Sequence, residues 1–116
     1  MKNVEVAYCD TDISIVKLVG EHDLGDSEEL RNLLERQLAP SDLLIVDLSE
    51  TEFIDSSILN TLIAVKKIAD RHGLSVTLQL GAETNARKIL EVSGLDGFFQ
   101  CADSRPEAIA LARNSR

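Results

Sequence analysis

The sequence predicts an α/β fold built on a mostly parallel sheet. Three observations carry that prediction. Short β-rich apolar runs alternate with segments whose apolar residues recur at helical spacing. One run, "LLIVDL", is continuously apolar, as expected of a central strand covered on both faces. The helical segments are bracketed by Asp, Ser, Pro and Gly at positions that suit helix starts and stops. The predicted order is ββαβαβαβα, with right-handed crossovers and the first strand antiparallel at an edge.

The elements follow in order. "VEVAY" and "ISIVKLV" are β-rich and are joined by "CDTD", so they read as a hairpin. "GEHDLGD" is expected to be a loop. Asp26 and Glu29 form an N-cap signature for a first helix. That helix carries Leu30, Leu33, Leu34 and Leu38 on one face and stops at Pro40. "LLIVDL" is the third strand, and "SETEFIDSS" is expected to be the loop after it. A second helix runs from about Ser56 to His72 and stops at Gly73. "SVTLQL" is the fourth strand, "AETNARKILEVSG" the third helix, and "GFFQCA" a short fifth strand. Ser104 and Glu107, with Pro106 between them, open a last helix through Ala112.

The chain has 116 residues, 44% of them hydrophobic, which suits one aliphatic core and a single domain over 1–116. Aromatic content is 3% without Trp, so stacking platforms for bases or sugars are lacking. The net charge of −8 opposes nucleic acid, which needs a basic footprint. Cys9 and Cys101 are far apart and show no C-x-x-C or metal-like grouping with His22 or His72, so no metal and no cofactor are expected. No signal-like or membrane-spanning run occurs. The expectation is a soluble cytoplasmic protein, without membrane insertion.

In such sheets the functional edge lies beyond the carboxyl ends of the strands. Three expected loops meet there: "GEHDLGD", "SETEFIDSS" and "GAETN". The second contains Asp55-Ser56-Ser57. At about 100° per residue, Ile58, Leu62, Val65 and Ala69 form the buried stripe of the second helix. Ser57 then points beside the core with Thr61, Ala64 and Ile68. Ser56 points outward with Asn60, Ile63 and Lys67. Asp and Ser are common helix caps, so "DSS" has a purely structural reading. It also has a functional one, because the amides and dipole at a helix start favour an attached phosphate. Asp55 and Asp23 would repel that phosphate, while Leu59 and Ile63 supply a small apolar docking patch.

Other chemistries have weaker support. Ser56, His22 and Asp23 could form a hydrolase trio, but no Gly-x-Ser-x-Gly elbow exists. Asp47 sits where a receiver domain has its phosphoacceptor, yet "GFFQCADS" lacks the Lys that such a site needs. No Gly-rich phosphate cradle is present. The protein is not expected to be an enzyme.

"LIVDLSETEFIDSSILNTLIAV" resembles the signature of STAS domains, the fold shared by anti-sigma factor antagonists and the cytoplasmic tails of sulfate transporters. "VKLVGEHD" is similar to the family's second strand and its Gly-Glu-x-Asp loop. "ILEVSGLDGFF" is similar to its third helix, Ser-Gly-Leu turn and last strand. The resemblance runs over nearly the whole chain. It implies a STAS-like fold and a bacterial anti-sigma factor antagonist that regulates transcription. Its partners would be an anti-sigma factor with serine kinase activity and a serine phosphatase, the chain itself being a monomer or weak dimer. It implies phosphorylation at Ser56, with Asp23, Asp55, Ser57, Leu59, Asn60 and Ile63 forming the switch surface. Ile58 stands where the family commonly has Gly, and the helical projection turns it into the core. The alternative within the family is an unmodified scaffold subunit of a sensory or lipid-transport complex.

Overall fold

The computed structural model describes residues 3–38 and 42–115. Five strands form one sheet in the order β1-β2-β3-β4-β5: β1 Val4–Cys9, β2 Ile13–His22, β3 Leu43–Ile54, β4 Ser75–Gln79 and β5 Gln100–Ala102. β1 pairs antiparallel with β2, and every other pair is parallel. The helices are α1 Leu24–Leu38, α2 Ser56–Arg71, α3 Asn85–Ser93 and α4 Arg105–Asn114, with a 3-10 turn at Leu95–Gly97. The predicted order and the antiparallel edge strand are both present.

Strand alternation assigns the two faces. Leu44, Val46 and Leu48 of β3 join Val16, Leu18, Val76, Leu78 and Leu80 in one apolar layer beneath α1, α2 and α3. Leu43 and Ile45 point the other way, joining Ile13, Ile15 and Ala102 beneath Ala108 and Ala112 of α4. The continuous run "LLIVDL" is thereby explained, since a helix layer covers it on each side. The Ile58, Leu62, Val65 and Ala69 stripe of α2 is buried as projected.

The hairpin turn at Asp10–Asp12 is held from the far end of the chain. Asp10 adopts a left-handed φ of 55°, and Arg113 of α4 binds both Asp10 (2.6 Å) and Asp12 (3.1 Å). Ser104 caps α4 by accepting from the Glu107 N–H at 3.3 Å, as the capping box predicts. The reach-back differs by one residue, because the Glu107 carboxylate accepts from the Asp103 N–H at 3.3 Å. Gly94 closes α3 in the left-handed region at φ 75°, where a side chain would be strained.

Three expectations at the functional end need correction. β3 does not stop at Leu48: it runs on to Ile54 beside β2, with Val19 paired to Glu50 and His22 to Ile54. The segments "GEH" and "SETEFI", expected in loops, are thus a two-stranded ribbon. It leaves the sheet with register shifts between Lys17 and Val19 and between Gly20 and Glu21. Second, α1 begins at Leu24, two residues before the expected cap at Asp26. Asp23 occupies the cap position, its Oδ1 accepting from the Gly25 N–H at 3.0 Å, while Asp26 reaches back to the Asp23 N–H at 3.4 Å. Third, the fifth strand is shorter than "GFFQCA", because residues 95–97 form the 3-10 turn. The expected stop at Pro40 lies outside the described residues.

Candidate functional site at the starts of α1 and α2

The ribbon sets the geometry of this end of the molecule. His22 and Ile54 are register partners on adjacent strands, so Asp23 and Asp55 leave the ribbon side by side. Each residue then begins a helix. The two helices are also tied to each other, Thr61 Oγ1 of α2 lying 3.4 Å from the Ser27 carbonyl of α1. The third expected loop joins them, because Asn85 Nδ2 donates to the Glu52 carbonyl at 3.0 Å.

Asp55 caps α2. Its backbone is extended, and Oδ1 accepts from the N–H groups of Ser57 (3.0 Å) and Ile58 (3.2 Å). It also accepts the Ser57 hydroxyl. These contacts separate the two serines. Ser57 is half-buried and belongs to the cap. Ser56 is exposed, and its hydroxyl makes no hydrogen bond among the described residues. The outward phase read from the helical periodicity is therefore present.

The remaining predicted surface residues are distributed as follows. Asn60 is exposed one turn beyond Ser56, and Leu59 and Ile63 are half-buried at the margin of the main core. Asp23 is exposed on the neighbouring helix start. Ile58 is fully buried, so its side chain adds nothing to the surface around Ser56. One expectation changes: the Ser57 and Ile58 amides are not vacant donors for a phosphate, because Asp55 already holds them.

Sequence reasoning missed Phe53. It is 50% exposed on the ribbon, two residues before the cap. Alternation alone does not signal its exposure, because Phe53 shares the phase of buried Thr51 and turns outward where the pairing shifts between Gly20 and Glu21.

His22 and Asp47, named for the competing chemistries, have other partners. His22 is buried: Nε2 lies 3.1 Å from the Val19 carbonyl, to which it donates, and Nδ1 faces Asp26 at 3.5 Å. Both ring nitrogens address its own strand and α1 rather than Ser56. Asp47 is buried, accepting from the Ser49 N–H (2.9 Å) and hydroxyl (2.6 Å) and pairing with Arg105 (3.1 Å). It is a structural carboxylate within a continuing strand. Among the described residues no group of three or more His, Cys, Asp or Glu is placed to hold a metal ion, and no helix is long and apolar enough to cross a membrane.

A five-stranded mixed sheet with three helices on one face, one on the other, and an acid-capped helix leaving its third strand defines the class of STAS-fold proteins. The chain belongs to the STAS family: the family model "Mlab, STAS domain" matches residues 9–101. Solved structures agree on the fold. An anti-sigma factor antagonist from Mycobacterium paratuberculosis superposes with a TM-score of 0.79 at 23% identity, over 95% of this chain and 92% of that one. The anti-sigma factor antagonist SpoIIAA in its unphosphorylated form gives a TM-score of 0.78 at 20% identity, over 96% of each chain. The Bacillus cell fate determinant SpoIIAA in the phosphorylated form gives 0.71 at 19% identity, over 93% of this chain and 97% of that one.

Proposed function

We propose that this protein is an anti-sigma factor antagonist, a cytoplasmic binding switch rather than an enzyme, and that its switch is phosphorylation of Ser56. The observation that carries the reading is the division of labour at the start of α2. Asp55 and Ser57 perform the cap, while Ser56 is left exposed without a hydrogen bond to any described residue. A hydroxyl with no structural duty, at the end of the molecule where acidic side chains and half-buried Leu59 and Ile63 meet, is suited to recognition and modification. The comparison structures support it, since SpoIIAA has been solved in both its phosphorylated and unphosphorylated forms on this fold.

The mechanism is electrostatic. Unmodified, the Ser56 surface with Leu59, Asn60 and Ile63 docks on an anti-sigma factor that is also the serine kinase, and a sigma factor is released. A phosphate adds roughly −1.5 to −2 charges. Asp55 already occupies the nearest amides, and Asp23 stands on the adjoining helix, so the new charge meets carboxylates instead of donors. Burying it in the interface would cost several kcal/mol, on the order of a thousandfold in affinity. A serine phosphatase restores binding. Ile58 in place of the family's usual Gly does not obstruct approach, because its side chain is buried.

The test is the intact mass of the protein purified from its native cell, beside Ser56→Ala and Ser57→Ala. One phosphate lost only in Ser56→Ala supports the switch. A second reading, an unmodified STAS subunit of a larger assembly, draws on the matching family description and on the carboxylates that oppose a phosphate here. Absence of phosphate in every growth condition, with partner binding retained by Ser56→Glu, would select it.

A further inference from the structure

We propose that the chain forms a symmetric dimer by pairing the free edges of two β1 strands, extending two five-stranded sheets into one. The inference rests on β1 and α1 and is independent of Ser56.

β1 is the terminal strand of the sheet, and its residues 5–8 are all exposed. It lacks the features that usually blunt an edge: it contains no Pro and no Lys, and its pairing to β2 runs without a register shift. The direction of its backbone groups follows from one bond. The Asn3 carbonyl accepts from the Val19 N–H at 2.9 Å, on the β2 side. Across that trans peptide the Val4 N–H points the opposite way. Strand alternation then turns the N–H and C=O of Val4, Val6 and Tyr8 to the open edge.

The side chains of the same three residues lie on the α1 face. Val4 and Val6 line a groove of about 160 Å³ with Glu29, Leu33 and Arg36, and the Tyr8 hydroxyl donates to Gln37 at 3.0 Å. Val6 is 39% and Tyr8 64% exposed. The edge therefore offers both unpaired backbone groups and an apolar row.

A second copy satisfies both, and the sequence selects its register. A two-fold axis at Val6 pairs Val6 with its own symmetry mate and Val4 with Tyr8 of the other copy. This makes about six backbone hydrogen bonds and a continuous Val–Val–Tyr row. An axis at Glu5 would set two Glu5 carboxylates opposite each other, which is unfavourable. An axis at Ala7 would drop Val4 from the ladder and make about four bonds. The Val6 axis also makes the two α1 helices antiparallel. Glu29, beside Val4, is then brought toward the partner's Arg36 end, so opposite charges flank the apolar row.

Edge pairing with these flanks buries less than the roughly 1,200 Å² of a standard interface, which points to dissociation in the micromolar to millimolar range. Sedimentation velocity of the full chain, from micromolar to millimolar concentration, is the direct measurement. Reversible dimerisation is expected. Val6→Lys, on an exposed position, should raise the dissociation constant at least about tenfold and leave the circular dichroism unchanged. Val6→Cys supplies the register test. Opposed residues in a hydrogen-bonded pair have Cα atoms about 5.5 Å apart, within disulfide reach. Mild oxidation of Val6→Cys should give a peptide linked to its own copy through position 6, read by mass spectrometry, and Ala7→Cys should not link to itself. A chain that stays monomeric at millimolar concentration, a Val6→Lys variant that dimerises as tightly as wild type, or linkage through position 7 instead of 6 would overturn the proposal.

Discussion

Substitution at Asp55 and Ser56 separates the cap from the proposed switch. In Asp55→Ala the Ser57 and Ile58 amides lose their acceptor, and the Ser57 hydroxyl loses its partner. An N-cap contributes about 1 kcal/mol, and a charge-assisted bond to a half-buried hydroxyl adds about another 1. The expected loss is about 2 kcal/mol, or roughly 8 °C in midpoint for a domain slightly above 100 residues. Asp55→Asn keeps an acceptor in place and gives up only the charge at the helix start, so it should lose less than about 1 kcal/mol. Ser56→Ala should stay within about 0.5 kcal/mol of wild type, as for an exposed side chain with no bonded partner. Urea titration of the three variants reads these differences, and a constant slope would show that only stability changed. If Ser56→Ala fell as far as Asp55→Ala, Ser56 would be part of the cap, and the argument that it is spared for modification would collapse.

Three further outcomes test the surrounding structure. Asp47→Ala should cost about 2 kcal/mol in a urea titration, since Ser49 and Arg105 lose a buried acceptor and the 39%-exposed Arg105 recovers part of its loss from water. Gly81→Ala should cost about 1–2 kcal/mol, because φ there is +78° and a Cβ would lie 2.8 Å from Thr84 Cγ2, in the residue that caps α3. Burial pushes the Cys101 thiol above its ordinary 9.0, Arg87 opposes this, and Asp96 and Asp103 add to the rise. The folded state therefore holds this proton longer than the unfolded state does. Its contribution to stability is full below pH 9.0 and is lost as pH rises through the raised value, so urea midpoints should decline more steeply above pH 9 in wild type than in Cys101→Ser.

The legible parts of this fold are those in which one periodic pattern meets one core. The stripe of Ile58, Leu62, Val65 and Ala69 fixes the rotation of α2, and that rotation alone separates an exposed Ser56 from a half-buried Ser57. The β3 ribbon was not legible. Beyond Leu48 that strand has a paired neighbour only in β2, and of its last six residues only Thr51 and Ile54 are buried, so "SETEFI" reads as a loop. The start of α1 was obscured by two acids three residues apart, each able to cap. Where β2 ends decides between them: His22 remains paired with Ile54, which leaves Asp23 as the first residue free to cap and Asp26 to reach back. Phe53 was hidden with the ribbon that exposes it.

The same ribbon explains how an exposed serine can coexist with a stable helix start. It delivers Asp55 from a paired strand, so the cap is positioned by β3 and completed by Ser57 and Ile58 without Ser56. From the inside, Ile58 anchors the first turn in the core. With the turn fixed from both sides, the residue between the cap and its bonded partner can carry either a hydroxyl or a charged group without altering a backbone hydrogen bond. In the proposed switch, a phosphate on Ser56 changes what a partner meets and leaves the fold as it was. That is why the decisive comparison is between binding and stability in the same Ser56→Glu protein: binding should fall by orders of magnitude while the urea midpoint stays within about 1 kcal/mol of wild type.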